Sequence, residues 1–220
     1  MLSVLIIEDE AMTAMHIETV VKSMGLDVAG VVSDIDNALK VAKKTHTDLV
    51  IADININGEA NGIETAKILK NLYNIGVLFV TSASDHATLQ KIASVEYLGF
   101  ITKPFSQKRL TIQLKIIASK IIQQPNSVDL GNGYLFSSNT NTLSINTKEI
   151  ALTTQEHALL LLFISARGNE VLYATIDETI WYDKPSTLGN RRRLFFNLRK
   201  KLPGLTFETI KNVGYKLHKL

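Results

Sequence analysis

The sequence predicts a doubly wound parallel α/β sheet of five strands over residues 1–121, followed by a smaller α+β region over residues 128–220. Three observations predict this. Short, continuous apolar runs alternate with helical patterns through the first half. After residue 127 the apolar stretches shorten, alternate and are punctuated by Gly, Asn, Ser and Thr. Charge divides in the same way. Residues 1–122 carry 12 Lys+Arg against 13 Asp+Glu, whereas residues 123–220 carry 12 against 8. Half of those later basic residues fall between Arg191 and Lys201, and charge concentrated in this way suits a polyanion.

Composition narrows the classes. A chain of 220 residues with 45% hydrophobic content supports one or two domains, each with its own core. No apolar run approaches the ~18 residues of a spanning helix, so no membrane partner is expected. The N-terminus lacks a basic stretch followed by an apolar one and a small-residue cleavage site, so no export signal is expected. There is no cysteine, which excludes disulfides, thiol catalysis and thiolate metal sites and fits a cytoplasmic location.

The first region reads as strands at 3–7 (SVLII), 27–32 (DVAGVV), 48–52 (DLVIA), 77–81 (VLFVT) and 100–102 (FIT). They are rich in Val and Ile and nearly continuous, as strands buried on both faces are. Between them lie helices. AMTAMHIETVVKSMG places Met12, Met15, Ile17 and Val20 or Val21 on one side and closes at Gly25. ETAKILKNLY groups Ile68, Leu69 and Leu72, and RLTIQLKIIASKII groups Leu110, Leu114 and Ile117. Five βα units in so short a span give a parallel sheet whose ligands bind beyond the carboxyl ends of the strands.

Those ends carry chemistry. Strand one runs into Glu8-Asp9, strand three into Asp53, strand four into Thr81-Ser82 and strand five into Lys103-Pro104. Any one acid at a strand end is ordinarily a solvated loop residue. Their joint occurrence at four ends predicts a convergent site. Carboxylates suit Mg²⁺, lysine suits phosphoryl oxygens, and Asp53 is then the candidate nucleophile. The five histidines are scattered without helical metal spacing.

With IIEDE, DLVIADI, VTSA and FITKPF in this order, residues 1–121 resemble the receiver domain of two-component response regulators. The resemblance implies that Asp53 accepts a phosphoryl group from a sensor histidine kinase. It implies that Glu8, Asp9, Asp53 and the backbone carbonyl of Asn55 hold Mg²⁺. Thr81 would bond the phosphate, Lys103 would pair with it, and Phe100 would be the switch aromatic. Some positions depart from the family. Asn57 stands where the loop after the phosphoacceptor usually carries proline, and Gly62 lies one residue later than usual. Glu96-Tyr97 replaces Gly-Ala, and Arg109 and Gln113 occupy positions that usually hold the Glu and Arg of a symmetric dimer contact.

QQPNS reads as part of a linker over 122–127. VDLGNGYLFSSNTNTLSINTKEI reads as small antiparallel strands. A helix starts at Thr153 or Thr154 with Glu156 behind it and stops at Gly168. TIDETIW is a second, short helix. A third, STLGNRRRLFFNLRKKLPG, is capped at Ser186 and ended by Pro203-Gly204. Its Leu194, Phe195, Leu198 and Leu202 form one face. Arg193, Phe196, Asn197 and Lys200 lie opposite, flanked by Arg192 and Arg199. A basic face alone is ordinarily solvated surface. Phe and Asn among the basic residues suit a major groove instead. FETIKNVGYKLHKL reads as a terminal hairpin.

LTTQEHALL, IW, LRKKL and VGYKL make this region resemble the winged-helix effector domain of OmpR/PhoB-type regulators. That resemblance implies binding of double-stranded DNA, with Lys211 on the wing reaching a phosphate or the minor groove. It also implies a homodimer when phosphorylated and a segment, Tyr182–Thr187, placed where some relatives touch RNA polymerase. The chain is expected to catalyse only its own Mg²⁺-dependent phosphorylation and dephosphorylation. Two other functions are compatible with parts of the chain: a constitutive DNA-binding regulator with a vestigial receiver, and a phosphotransfer enzyme acting on a small molecule.

Overall fold

Valine, isoleucine and leucine dominate five short runs, and in the computed structural model all five are strands of one parallel sheet. They are β1 (Ser3–Ile7), β2 (Asp27–Val32), β3 (Leu49–Asp53), β4 (Gly76–Thr81) and β5 (Gly99–Thr102), in the order β2-β1-β3-β4-β5. The structure describes all residues except 1, 57–61, 83–91, 93–94, 124–126, 139, 182–185 and 219–220. The chain divides into two units, residues 1–70 with 75–124 and residues 71–74 with 125–220.

Helices α1 (Ala11–Ser23), α2 (Ile35–Lys44), α3 (Gly62–Tyr73) and α4 (Gln107–Gln123) accompany the sheet, numbered in chain order among the described residues. Val4, Ile6, Leu49, Ile51, Leu78, Val80 and Ile101 pack in one cluster with Ile17, Val20 and Val21 of α1 and with Leu110, Leu114 and Ile117 of α4. The alternate residues Leu5, Ile7, Val50, Ala52 and Phe79 point to the opposite face and are equally buried. Each such large side chain contributes about 1.5–3 kcal/mol. Burial on both faces is why β1, β3 and β4 read as continuous apolar runs, whereas the edge strands β2 and β5, expected to be buried in the same way, are only partly so.

One helical face differs from expectation. Met12 and Met15 are 69% and 56% exposed, and the buried stripe of α1 is Ala14, Ile17, Val20 and Val21. At 100° per residue Ala14, Ile17 and Val21 share a face, and both methionines fall opposite it.

The second unit begins with the antiparallel strands β6 (Ser127–Gly131), β7 (Tyr134–Ser137), β8 (Thr142–Ile145) and β9 (Lys148–Ile150) in sequential order. Asn132, Asn141 and Asn146 take positive φ at their turns, a conformation that asparagine tolerates. Helices α5 (Thr154–Ala166), α6 (Tyr173–Ile180) and α7 (Leu188–Lys201) follow. A second sheet has the order β10 (Glu170–Leu172), β12 (Gly214–Leu217), β11 (Phe207–Ile210). Phe163, Phe195 and Phe207 meet at centroid separations of 5.4–6.5 Å and join α5, α7 and β11 in one core. Three helices closed by the β11–β12 hairpin make the winged-helix arrangement.

Helix α5 starts in a complete capping box. The Thr153 hydroxyl accepts from the Glu156 amide, and Glu156 Oε2 accepts from the Thr153 amide at 2.8 Å. The same oxygen takes Lys201 Nζ at 2.7 Å, which ties the last turn of α7 to the first turn of α5. Burial alone would push the Glu156 carboxyl up. Lys201 and the Thr153 amide outweigh it and hold the group below its ordinary value of 4.5. A depressed folded value contributes stability that is present above the unfolded value and lost as pH falls through the folded one. Glu156→Ala is therefore expected to cost about 1–2 kcal/mol at neutral pH. The gap from wild type should narrow below pH 4.5. Denaturant unfolding followed through Trp181, the single tryptophan, reads this unit.

Helix α7 is capped by Thr187, whose hydroxyl accepts from the Asn190 amide at 3.2 Å. The expected cap, Ser186, instead donates its hydroxyl to Asp177 Oδ1. Both residues are good caps, so the choice is made by the tertiary partner of Ser186.

Candidate functional site

Parallel pairing aligns the strand ends. Ile7 lies beside Ala52, Asp53 beside Val80, and Thr81 beside Thr102. The residues that follow each pair therefore emerge at one edge of the sheet. The strand order reverses between β1 and β3, so Glu8 and Asp53 flank the switch point where such sheets bind ligands.

The side chains do converge. Lys103 Nζ donates to Asp53 Oδ2 at 2.7 Å and to Glu8 Oε1 at 2.8 Å. Glu8, Asp9 and Asp53 each present a carboxylate oxygen within 4.8 Å of the others. Glu8 and Asp53 are 3% and 6% exposed, Asp9 is exposed, and Thr81 is fully buried. The Asn55 amide donates to Asp53 Oδ1 at 3.1 Å, which orients the carboxylate from the loop side. Glu10, the third acid of its run, leaves the cluster. It stands at the N-cap of α1 and accepts from the Thr13 hydroxyl at 2.7 Å.

Gly62 lies close against the backbone of Asp53 and Ile54. A Cβ there would lie 1.8 Å from the Asp53 carbonyl oxygen. The Gly62 amide donates to the Ile54 carbonyl at 3.1 Å. Only a residue without a side chain admits this approach. Asn57 lies outside the described residues.

Electrostatics test what this cluster can hold. Burial raises the Glu8 carboxyl above its ordinary value, Asp53 adds to the rise, and Lys103 opposes it. Burial alone would lower the Lys103 ammonium, but its bonds to Asp53 and Glu8 outweigh that and raise it. Lys103 is thus a fixed cation. Its Nζ also stands 2.7 Å from Glu8 Oε2, but at an angle too poor for a hydrogen bond, so that buried oxygen has no hydrogen-bond partner among the described residues. Among these four side chains, three carboxylates meet one ammonium. An oxygen-rich set with a negative excess, including a buried Glu8 oxygen that no hydrogen bond satisfies, fits a divalent, oxygen-preferring cation such as Mg²⁺.

Phe100 is 41% exposed and pairs across the ladder with Phe79. Tyr97 bridges the two rings, 6.1 Å from Phe79 and 6.4 Å from Phe100. On α4, Arg109 is exposed, while the Gln113 amide lies against Gly99, close enough that a Cβ there would come within 2.1 Å of it. Gln113 is therefore turned toward β5.

The second candidate site is α7. Leu194, Phe195 and Leu198 are buried. Arg192, Arg193, Asn197, Arg199 and Lys200 are exposed, and Phe196 is 64% exposed. Lys211 is exposed at the turn between β11 and β12. Gly214 permits that hairpin to close on β10, since a Cβ there would lie 2.0 Å from the Val171 carbonyl. Two basic residues of the helix have other partners. Lys201 is held by Glu156 and the Ala151 carbonyl, and Arg191 by Asp177 at 2.8 Å. Neither pairing has a sequence signal, because the partners lie 45 and 14 residues away. Of Tyr182–Thr187, positions 182–185 lie outside the described residues.

Comparison with known proteins agrees with this geometry. Residues 4–115 match the family described as the response regulator receiver domain. The chain is 29% identical over 188 residues to the probable transcriptional regulator ycf27 of Porphyridium aerugineum, covering 81% of this chain and 76% of that protein. It is 28% identical over 187 residues to the heme response regulator HssR of Staphylococcus aureus (strain JH9), covering 82% of each. The signal receiver domain of a modulated diguanylate cyclase from Desulfovibrio desulfuricans G20 superposes with a TM-score of 0.52 at 29% identity, over 56% of this chain and 98% of that one.

Proposed function

The chain belongs to the response regulator receiver family, and from that premise we propose that it is a phosphorylation-regulated transcriptional regulator of the OmpR/PhoB type. Asp53 accepts a phosphoryl group from a sensor histidine kinase, and the winged helix binds promoter DNA. The observation that carries this reading is the Lys103–Asp53–Glu8 cluster, joined in one chain to an exposed basic helix.

The roles proposed for the site residues extend the family resemblance to this geometry. An Asp53 carboxylate oxygen attacks the phosphorus of a phosphohistidine, the P–N bond breaks, and an acyl phosphate forms. The Asn55 amide fixes the rotamer of Asp53. Lys103, already charged and 2.7 Å away, pairs with the incoming phosphoryl oxygens. Thr81 bonds the phosphate, and Phe100 reports the change through Tyr97 and Phe79. Glu8, Asp9, Asp53 and the Asn55 carbonyl would hold Mg²⁺, whose chemistry when bound is to neutralise charge on the transferring group. The protein acts in the cytoplasm and has no enzymatic role beyond its own phosphorylation and dephosphorylation. RNA polymerase is a further partner through Tyr182–Thr187.

Phosphorylation strengthens DNA binding by favouring a homodimer on two half-sites about one helical turn apart. With Gln113 turned inward, the dimer is held by apolar contact: Ile112 and Ile116 of α4 are exposed. A coupling of about 1–3 kcal/mol is enough, because the second domain then binds at high effective concentration. Sedimentation of the chain treated with acetyl phosphate should show a dimer, and footprinting should show two protected half-sites. A monomer on one half-site with unchanged affinity contradicts the switch.

A further inference from the structure

The basic run of α7 holds three consecutive arginines, and they do not share one environment. Arg192 and Arg193 are exposed. The Arg191 side chain is only 17% exposed, and its Nε is buried. Arg191 Nη1 donates to Asp177 Oδ2 of α6 at 2.8 Å, and Asp177 Oδ1 accepts from the Ser186 hydroxyl just before α7. The guanidinium carbon lies 4.7 Å from the centre of the Tyr173 ring. Tyr173 meets Tyr215 of β12 edge-on at 5.2 Å, and Tyr215 stacks on Phe195 of α7 at 3.7 Å and 8°. The Tyr173 amide donates to the Val213 carbonyl in the turn of the hairpin at 3.0 Å.

These contacts form a closed circuit. It leaves the start of α7 through Ser186 and Arg191, crosses α6 through Asp177 and Tyr173, and returns to α7 through the hairpin. It also meets an electrostatic need. The first turn of α7 holds no acid, and a cation near a helix N-terminus opposes the helix dipole. Asp177 supplies the missing negative charge from the neighbouring helix.

We propose that Arg191 is a positioning residue rather than a DNA contact: with Asp177 and Tyr173 it locks the first turn of the reading helix and the wing into one rigid reader. This rests on the DNA-binding role proposed above. The latch fixes the angle at which Arg193, Phe196 and Asn197 leave the protein relative to Lys211. Its loss therefore erodes discrimination between sequences while leaving attraction to the phosphate backbone intact.

The test uses the full chain, a duplex recovered from a random pool by the wild-type protein, and a scrambled duplex of the same composition. Arg191→Gln and Asp177→Asn are each expected to weaken binding to the recovered duplex about tenfold and to leave the scrambled duplex within about twofold. The double variant should lose no more than either single one. Arg191→Lys, which keeps the charge opposite Asp177, should recover part of the loss. The slope of log affinity against log salt should stay unchanged. The idea is overturned if Arg191→Gln weakens both duplexes alike and lowers that slope by about one, the mark of a lost phosphate contact, while Asp177→Asn does not weaken binding. Thermal unfolding of the same variants separates the latch from the DNA reading. The single variants should each lower the melting temperature of the Trp181 transition by about 4 °C, and the double by no more. Additive shifts overturn the latch. Failure to recover any duplex overturns the DNA reading instead.

Discussion

Asp53→Asn is expected to abolish phosphoryl uptake and to leave the protein folded. Incubated with acetyl phosphate and Mg²⁺, the wild-type chain is expected to gain a single phosphate by mass. The variant should gain none, because the amide lacks the nucleophilic oxygen. Folding should survive because the substitution removes a charge from a cluster with an acidic excess and leaves Lys103 paired with Glu8. The opposite substitution separates the roles. Lys103→Ala strands Glu8 and Asp53 as like charges in a buried site, so it should cost stability as well as rate. A chelator should stop labelling of the wild type, since divalent charge is needed at the transferring group. Labelling of the Asp53→Asn variant at the wild-type level would remove Asp53 from its role. Absence of any labelling of the wild type would favour a constitutive regulator with a vestigial receiver.

Loss of base reading at α7 is the second large effect. Asn197→Ala and Arg193→Ala are each expected to weaken binding at the preferred duplex by roughly 1–3 kcal/mol, with specificity relaxed at one position per substitution. Both side chains are exposed on the face opposite Leu194, Phe195 and Leu198. Alanine at Leu194 or Leu198, on the buried face, would instead cost about 2–5 kcal/mol of stability. Lys211→Ala, at the turn of the hairpin, should weaken all duplexes about equally and lower the salt slope by about one. Titrations of both duplexes at three salt concentrations distinguish these patterns. If Asn197→Ala and Arg193→Ala lost affinity for scrambled DNA to the same extent, this helix would be a phosphate contact only.

Much of this was legible in the chain itself, for a physical reason. A parallel sheet turns sequence position into spatial position at its carboxyl edge, so Glu8, Asp9, Asp53 and Lys103 could be placed together from the ends of apolar runs alone. Helical periodicity likewise separated Leu194 and Leu198 from Arg193 and Asn197. Legibility failed where a tertiary partner decided between local equals. Ser186 and Thr187 are both competent caps, and Asp177 took the first. Met12 and Met15 are grouped with Ile17 on apolar character, although the 100° spacing puts them opposite the buried stripe of Ala14, Ile17 and Val21. Arg191 carries the same charge as its two neighbours, and nothing local marks it as bound to α6. Gln113 stands where a charged dimer contact was to be sought, and its contact with Gly99 became apparent only in the fold.

Chemistry at Asp53 is proposed to control DNA binding by α7. Its most direct measurement is selection of duplexes from a random pool by the purified full chain, with and without acetyl phosphate in Mg²⁺, repeated with Asp53→Asn. The expected result is enrichment of a two-half-site sequence by the wild type that acetyl phosphate strengthens about tenfold, with the Asp53→Asn variant enriching the same sequence weakly and unresponsively. Equal enrichment by wild type and variant, unchanged by acetyl phosphate, would contradict it.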